Sequence, residues 1–172
     1  GTAAGSWDLW VQSLEGGEAR RVTSEDFGFC WALAWTPDGS EIVVNCGPGG
    51  ISRVDVAGGR PRHVAGVGQD AAQPSIRGSR MVYAQRIRSA RRDLWRVPGR
   101  TSSLESRPPE RLITSTQTDL APDYSPVGRR IAFASLRRGR PEIWLSDADG
   151  SNPVQLTHFE RSAGAPRWSP DG

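Results

Sequence analysis

Lysine is missing from this chain altogether: its 22 basic residues are all arginine, set against 19 acids for a net charge of +3. Arginine presents a planar fork of donors that suits carboxylates, phosphates and backbone carbonyls, although a genome-wide composition bias produces the same absence. Long apolar runs are missing too. Hydrophobic residues make up 36% of the sequence, and no stretch reaches the length of a bilayer-crossing helix. Residues Gly1 to Ser6 have neither a basic head nor an apolar run, so they do not encode a secretory signal. No Met opens the sequence, which is therefore expected to be a stretch of a longer protein. No Gly-x-Ser-x-Gly is present, which excludes a nucleophile elbow within these residues.

Cysteine and histidine are scarce, with two of each. A hairpin turning near Asp38 would set Cys30 and Cys46 on facing strands. A disulfide there has to satisfy tight geometric limits, and two unpaired buried thiols are the expectation. His63 and His158 fall at or just beyond the ends of expected outer strands. Two histidines without a third ligand pattern give weak support for a metal, so both are assigned to the rim. No metal and no cofactor is expected.

What the sequence has in quantity is turn residues, 20 Gly and 13 Pro, arranged as a repeated phrase. Trp35-Thr36-Pro37-Asp38-Gly39 precedes Glu41-Ile42-Val43-Val44. Tyr124-Ser125-Pro126-Val127-Gly128 precedes Arg130-Ile131-Ala132-Phe133. Trp168-Ser169-Pro170-Asp171-Gly172 gives the first half again, and a weaker copy, Ser75-Ile76-Arg77-Gly78, precedes Met81-Val82-Tyr83. The glycines stand at 39, 78, 128 and 172, spaced by 39, 50 and 44 residues. A repeat of roughly 40–50 residues indicates a propeller or a solenoid.

Each unit reads as four short strands. In the clearest copy these are Ala121–Tyr124, Ile131–Ser135, Glu142–Ser146 and Val154–Thr157. The third strand recurs at Asp8–Val11, Ile51–Val54 and Asp93–Val97, and the fourth at Arg20–Thr23, Arg62–Ala65 and Arg111–Thr114. Gly16-Gly17, Gly58-Gly59, Pro98-Gly99 and Asp149-Gly150 fill the turns between third and fourth strands, where glycine accepts a left-handed backbone at little cost. The units run over 5–24 (last two strands only), 30–66, 72–115 and 120–158, with the first strand of a further unit over 164–172. Residues 100–110, rich in Ser and Pro, read as a surface insertion.

The phrases Ala165-Pro166-Arg167-Trp168-Ser169-Pro170-Asp171-Gly172, Ile131-Ala132-Phe133, Glu142-Ile143-Trp144, Asp149-Gly150-Ser151-Asn152 and Gln155-Leu156-Thr157 resemble the repeat of the TolB-like β-propeller family. Val127 departs from the usual Asp, and the copy before Gly78 lacks Pro-Asp. The resemblance implies an all-β propeller of four-stranded antiparallel blades, incomplete here, with first strands lining a central channel and fourth strands on the rim. It implies a non-catalytic module that binds protein or peptide, the sensory or interaction part of a bacterial envelope or signalling protein, and weakly an extracytoplasmic setting. Two alternatives come with the family: the gating propeller of a prolyl-oligopeptidase-like serine peptidase, and a stand-alone periplasmic assembly protein. Open blade edges further imply a homodimer.

Arginine clusters are the candidate binding site. Arg86, Arg88, Arg91 and Arg92 crowd one connection between second and third strands, and Arg137, Arg138 and Arg140 crowd the matching connection of the next unit. Matching loops of adjacent blades emerge on one face, so the seven form one positive surface that steers an anionic partner. An acidic protein or peptide is the expected partner. No aromatics interleave with these arginines, so no specific nucleic acid is expected. The competing reading is a solvated face of local Arg–acid pairs. Asp147-Ala148-Asp149-Gly150-Ser151-Asn152 superficially matches a calcium loop but lacks the third acid and the distant Glu, and it reads as a turn. Pro37, Asp38, Gly39, Pro126, Gly128, Pro170, Asp171 and Gly172 are assigned to structural turns. Asp8, Asp93 and Glu142 share one place at the start of a third strand, which reads as structural.

Overall fold

The computed structural model describes residues 8–23, 30–46, 49–88, 91–98 and 108–172, with Trp31, Arg88 and Pro98 described by backbone alone. Part of the expected insertion, through residue 107, and Gly99 lie outside the described residues. Each Pro- or Gly-bearing turn reverses an alternating apolar strand, and the result is all-β. The first sheet pairs β1 (Trp10–Val11) with β2 (Arg20–Arg21). Three four-stranded antiparallel sheets follow, each paired in sequence order. They are β3 (Cys30–Trp35), β4 (Glu41–Cys46), β5 (Ile51–Asp55) and β6 (Arg62–His63); β7 (Ala71–Arg77), β8 (Arg80–Arg88), β9 (Arg91–Pro98) and β10 (Glu110–Ile113); and β11 (Asp119–Tyr124), β12 (Arg130–Ser135), β13 (Glu142–Asp147) and β14 (Val154–Gln155). These are propeller blades, three whole and one partial.

The apolar cores lie between sheets. Leu9 and Val22 meet Ile42, Val44 and Val54 across the first gap. Val43, Ile51 and Val64 meet Met81, Tyr83 and Val97 across the second. Val82, Ala84, Leu94 and Ile113 meet Tyr124, Ile131 and Phe133 across the third. Alternation along a strand explains this, because Val43 and Val44 point to opposite faces and each face covers a different neighbour. Each fully buried side chain of this size stabilises by about 1.5–3 kcal/mol, a gain that a lone sheet could not make.

The turn phrase carries its own bonds. Gly39 N–H donates to Thr36 O at 2.9 Å, Gly128 to Ser125 at 2.8 Å and Gly172 to Ser169 at 3.0 Å. The three glycines sit at φ 67°, 66° and 86°, a region costly for any residue with a Cβ. The Asp38 carboxylate accepts from the Thr36 hydroxyl at 2.7 Å and the Ser40 N–H at 3.1 Å. Those bonds, Thr36 first, hold its pKa down to about 2.

The innermost strands hold a feature that the turns do not announce. Gln73, Ala121 and Ala165 each precede a proline and adopt positive φ, at 57°, 47° and 52°. The pairing of β7 with β8 and of β11 with β12 skips a step at the first two. These bulges align the next side chain with the following blade. The Ser75 hydroxyl donates to Asp123 at 2.9 Å and accepts from Tyr124 N–H at 3.2 Å. One repeat later, the Asp123 carboxylate accepts from Trp168 N–H at 3.0 Å, and Trp168 Nε1 donates to Asp123 O at 3.1 Å. Ala34 holds this place in β3 and has no group to offer.

Two expectations change. The segment over 164–172 has the latch and turn of an innermost strand but forms no sheet, since no second strand lies beside it. Cys30 and Cys46, expected as unpaired thiols, are joined in a disulfide. They stand directly opposite in the β3–β4 register, where β7–β8 has Ala71 with Gln85 and β11–β12 has Asp119 with Ser135.

The cysteines are 16 residues apart, and closing a loop of that size constrains the unfolded state by roughly 3 kcal/mol. Reduction, or Cys30→Ser with Cys46→Ser, is expected to lower the urea unfolding midpoint accordingly. An equal midpoint with and without reductant would contradict the bridge.

Candidate functional site

The β8–β9 hairpin is longer than its counterparts, with strands of 9 and 8 residues against 6 and 5 in β4–β5 and 6 and 6 in β12–β13. Arg86, Arg88, Arg91 and Arg92 therefore lie on paired strands and not in a loop. The register sets Arg86 opposite Arg92 and Arg88 opposite Arg91. Like charges directly opposite destabilise a hairpin, so acids below must offset them. Arg86 Nη1 lies 3.9 Å from Asp70. Arg91 Nε lies 3.8 Å from the Asp93 carboxylate, and Arg111 Nε from β10 lies 3.6 Å from its other oxygen.

Asp93 is fully buried, and neither carboxylate oxygen has a hydrogen-bond donor among the described residues. Burial raises its pKa; Arg91 and Arg111 oppose the rise and Asp119 adds to it. The same place in other blades is bonded differently. Asp8 accepts from Thr23 at 2.8 Å and Glu142 accepts from Thr157 at 2.6 Å. In Glu142 the Thr157 bond leads in lowering the pKa. The β9–β10 register slips between Arg111 and Ile113, and Asp93 has arginines in place of a threonine.

The second cluster belongs to the β12–β13 connection. Both connections leave the end of the stack where β11 begins, and β11 packs against β7, β8 and β9. Arg137 lies over the Trp144 ring at 5.0 Å and the Phe133 ring at 5.5 Å, while its Nη2 is 3.5 Å from Asp119 Oδ2. Asp119 is fully buried; burial raises its pKa, with Ser135 and Arg137 opposing. Arg140 Nε is 3.6 Å from Glu142, and its Nη1 donates to Glu160 O at 3.0 Å.

The geometry is a layer of guanidinium groups over the buried carboxylates of Asp93, Asp119 and Glu142, with exposed Asp70 beside Arg86. Arg86, Arg91, Arg137 and Arg140 are each tied to an acid. Arg92 is half-buried with an unbonded Nε, and exposed Arg138 makes no hydrogen bond or ion pair among the described residues. The Arg88 side chain lies outside the described residues. Asp119 and Arg111 were not singled out from sequence. The only signal was positional: Asp119 stands where Cys30 stands, and Arg111 repeats Arg62.

The other candidates resolve as local structure. Asp149 accepts from Ser151 N–H at 2.9 Å and Asp147 from Asn152 Nδ2 at 2.8 Å, so the calcium-like loop bonds itself. The His63 ring nitrogen Nε2 lies 2.9 Å from Val67 O. Among the described residues, no three His, Cys, Asp or Glu side chains gather as a metal site. No helix among them is long and apolar enough to cross a membrane.

No family model matches the sequence. It is 36% identical over 62 residues to the Tol-Pal system protein TolB of Alcanivorax borkumensis, covering 36% of this chain and 14% of that protein. A solved structure assigned as TolB from Agrobacterium tumefaciens superposes with a TM-score of 0.81 at 26% identity, over 96% of this chain and 60% of that one. The protein described here thus spans less than two thirds of these relatives. A puromycin-hydrolyzing peptidase of Mycobacterium tuberculosis shares the fold, with a TM-score of 0.65 at 15% identity over 91% of this chain and 28% of that one. Repeat phrase, blade order and these likenesses agree: the chain folds as part of a TolB-like β-propeller.

Proposed function

We propose that this protein is a non-catalytic binding module, the sensory or interaction part of a larger bacterial envelope or signalling protein, and that its arginine face receives an acidic protein or peptide. The observation that carries this reading is the β8–β9 hairpin. Two arginine pairs face each other across its strands, a stability cost with no return in the core. Interaction sites are where such local conflicts are expected. The acids beneath hold the guanidinium groups in place, and Arg92 and Arg138 carry charge outward. The Cys30–Cys46 disulfide suits an oxidising compartment, which supports an extracytoplasmic setting.

A peptidase-gating role is the second reading, favoured by the fold shared with the mycobacterial peptidase. A hydrolase domain elsewhere in the same polypeptide would support it. Self-association belongs to the first reading. Leu33 and Trp35 on β3, and Val154, Leu156 and Phe159 at and after β14, are exposed apolar surface that a second copy could cover. Light scattering over a wide concentration range is expected to show a dimer, and a monomer throughout would remove that role.

Arg92→Glu with Arg138→Glu tests the face. An oligoglutamate peptide is expected to bind the double variant at least about tenfold more weakly, with a flatter salt dependence, as loss of charge complementarity requires. Unchanged affinity and unchanged salt dependence would remove the reading.

A further inference from the structure

At the opposite end of the sheets from the arginine hairpin, the β7–β8 and β11–β12 turns enclose a cleft of about 400 Å³. Arg77, Ser79 and Arg80 wall one side, and Tyr124, Pro126 and Val127 the other. Tyr124 is 5% exposed, yet its hydroxyl hydrogen has no acceptor among the described residues, since Arg96, which approaches the oxygen, can only donate. Buried polar groups are nearly always bonded, so an unmet donor lining a cleft is informative. Burial raises the Tyr124 pKa, with Arg96 and Arg80 opposing, so the group is an O–H donor at neutral pH.

The charges around it are unequal. Arg96 is already committed, with Nε 2.7 Å from Glu110 Oε1 and Nη1 3.3 Å from Ala148 O. Arg77 donates to Pro126 O. Arg80 is exposed and makes no hydrogen bond or ion pair among the described residues. Arg80 and Arg96 thus act on the Tyr124 hydroxyl against Glu110, and of the two only Arg80 lines the cleft. Pro126 and Val127, the latter 75% exposed, add an apolar wall beside the donors. An ion alone has no use for that wall, whereas a peptide residue flanking an acid does.

We propose that this cleft binds a carboxylate presented by a peptide, with Tyr124 O–H and Arg80 as the donors and Val127 against the neighbouring residue. The carboxylate comes from an acidic side group or from the free C-terminus of the peptide. This site is separate from the arginine face, and it stands or falls independently of that reading.

Three capped peptides decide it: acetyl-Gly-Ala-Glu-Ala-Gly-amide, its Gln twin, and acetyl-Ala-Ala with a free C-terminus. Binding is followed by NMR shifts at Gly78 and Gly128. At least one acid peptide is expected to bind about tenfold better than the Gln twin, as a charge-assisted bond requires. Which acid peptide binds identifies the source of the carboxylate. Arg80→Gln is expected to weaken it about tenfold and Tyr124→Phe about threefold, with melting temperatures little changed because neither Arg80 nor the Tyr124 O–H donates to an acceptor among the described residues. Arg92→Glu with Arg138→Glu is expected to leave this binding intact. Equal affinity for acid and Gln peptides, equal affinity in both cleft variants, or tighter binding of inorganic phosphate than of either acid peptide would overturn the proposal.

Discussion

No sheet in this protein buries both of its faces alone. Val43 and Val44 are neighbours in sequence, yet they belong to different cores on opposite sides of β4. The same holds for Val82 and Tyr83 in β8. Each blade therefore depends on the blades beside it, as repeat architectures do. Dispersion and hydrophobic burial hold the stack together but do not fix its register. The latch from Ser75 to Asp123 and from Asp123 to Trp168 supplies direction, since it joins one repeat position to the next between the second and third whole blades and again to the segment over 164–172. The left-handed residues before the prolines are the local cost of aiming those side chains.

The two ends of the stack differ in chemistry. At one end, arginines lie over buried acids, and two of those acids, Asp93 and Asp119, sit where burial opposes their charge. The guanidinium groups are held in position by carboxylates that have few other partners. At the other end, turns built on Pro-Asp-Gly and its variants enclose a smaller cleft whose buried donor is unmet. A stack whose cores are spent on blade-to-blade packing leaves these two ends and the channel side open to binding.

Much of the fold was legible because its signals are local. A turn such as Thr36-Pro37-Asp38-Gly39 bonds itself, and alternation in Ile131-Ala132-Phe133-Ala134 needs no distant residue to be read. The outermost strands are shorter than the sequence suggested, as at Arg62–His63, because single bonds such as Val64 N–H to Ile51 O continue where the ladder stops. What stayed hidden depends on register across blades. The Cys30–Cys46 bridge requires two strands to face in one of several possible alignments. Ser75 and Asp123 perform one task with different side chains, so their equivalence appears only in the bulged pairing. The arginine pairs Arg86–Arg92 and Arg88–Arg91 were expected in a loop because Ser89-Ala90 carries no strong turn signal, and their true state is set by an extended hairpin. Acids at strand starts read as structural from repetition alone. Asp93 breaks that pattern through a slip in β10 that no local signal in the sequence announces.

Native-state hydrogen exchange at the Tyr124 and Trp168 amides tests the latch most directly. Bonded to side chains of the preceding blade, both amides should be protected to a degree comparable with the β12–β13 ladder, and Ser75→Ala should release Tyr124 while leaving Ile131 protected. Exchange of both amides at open-loop rates in the unaltered protein would contradict the account.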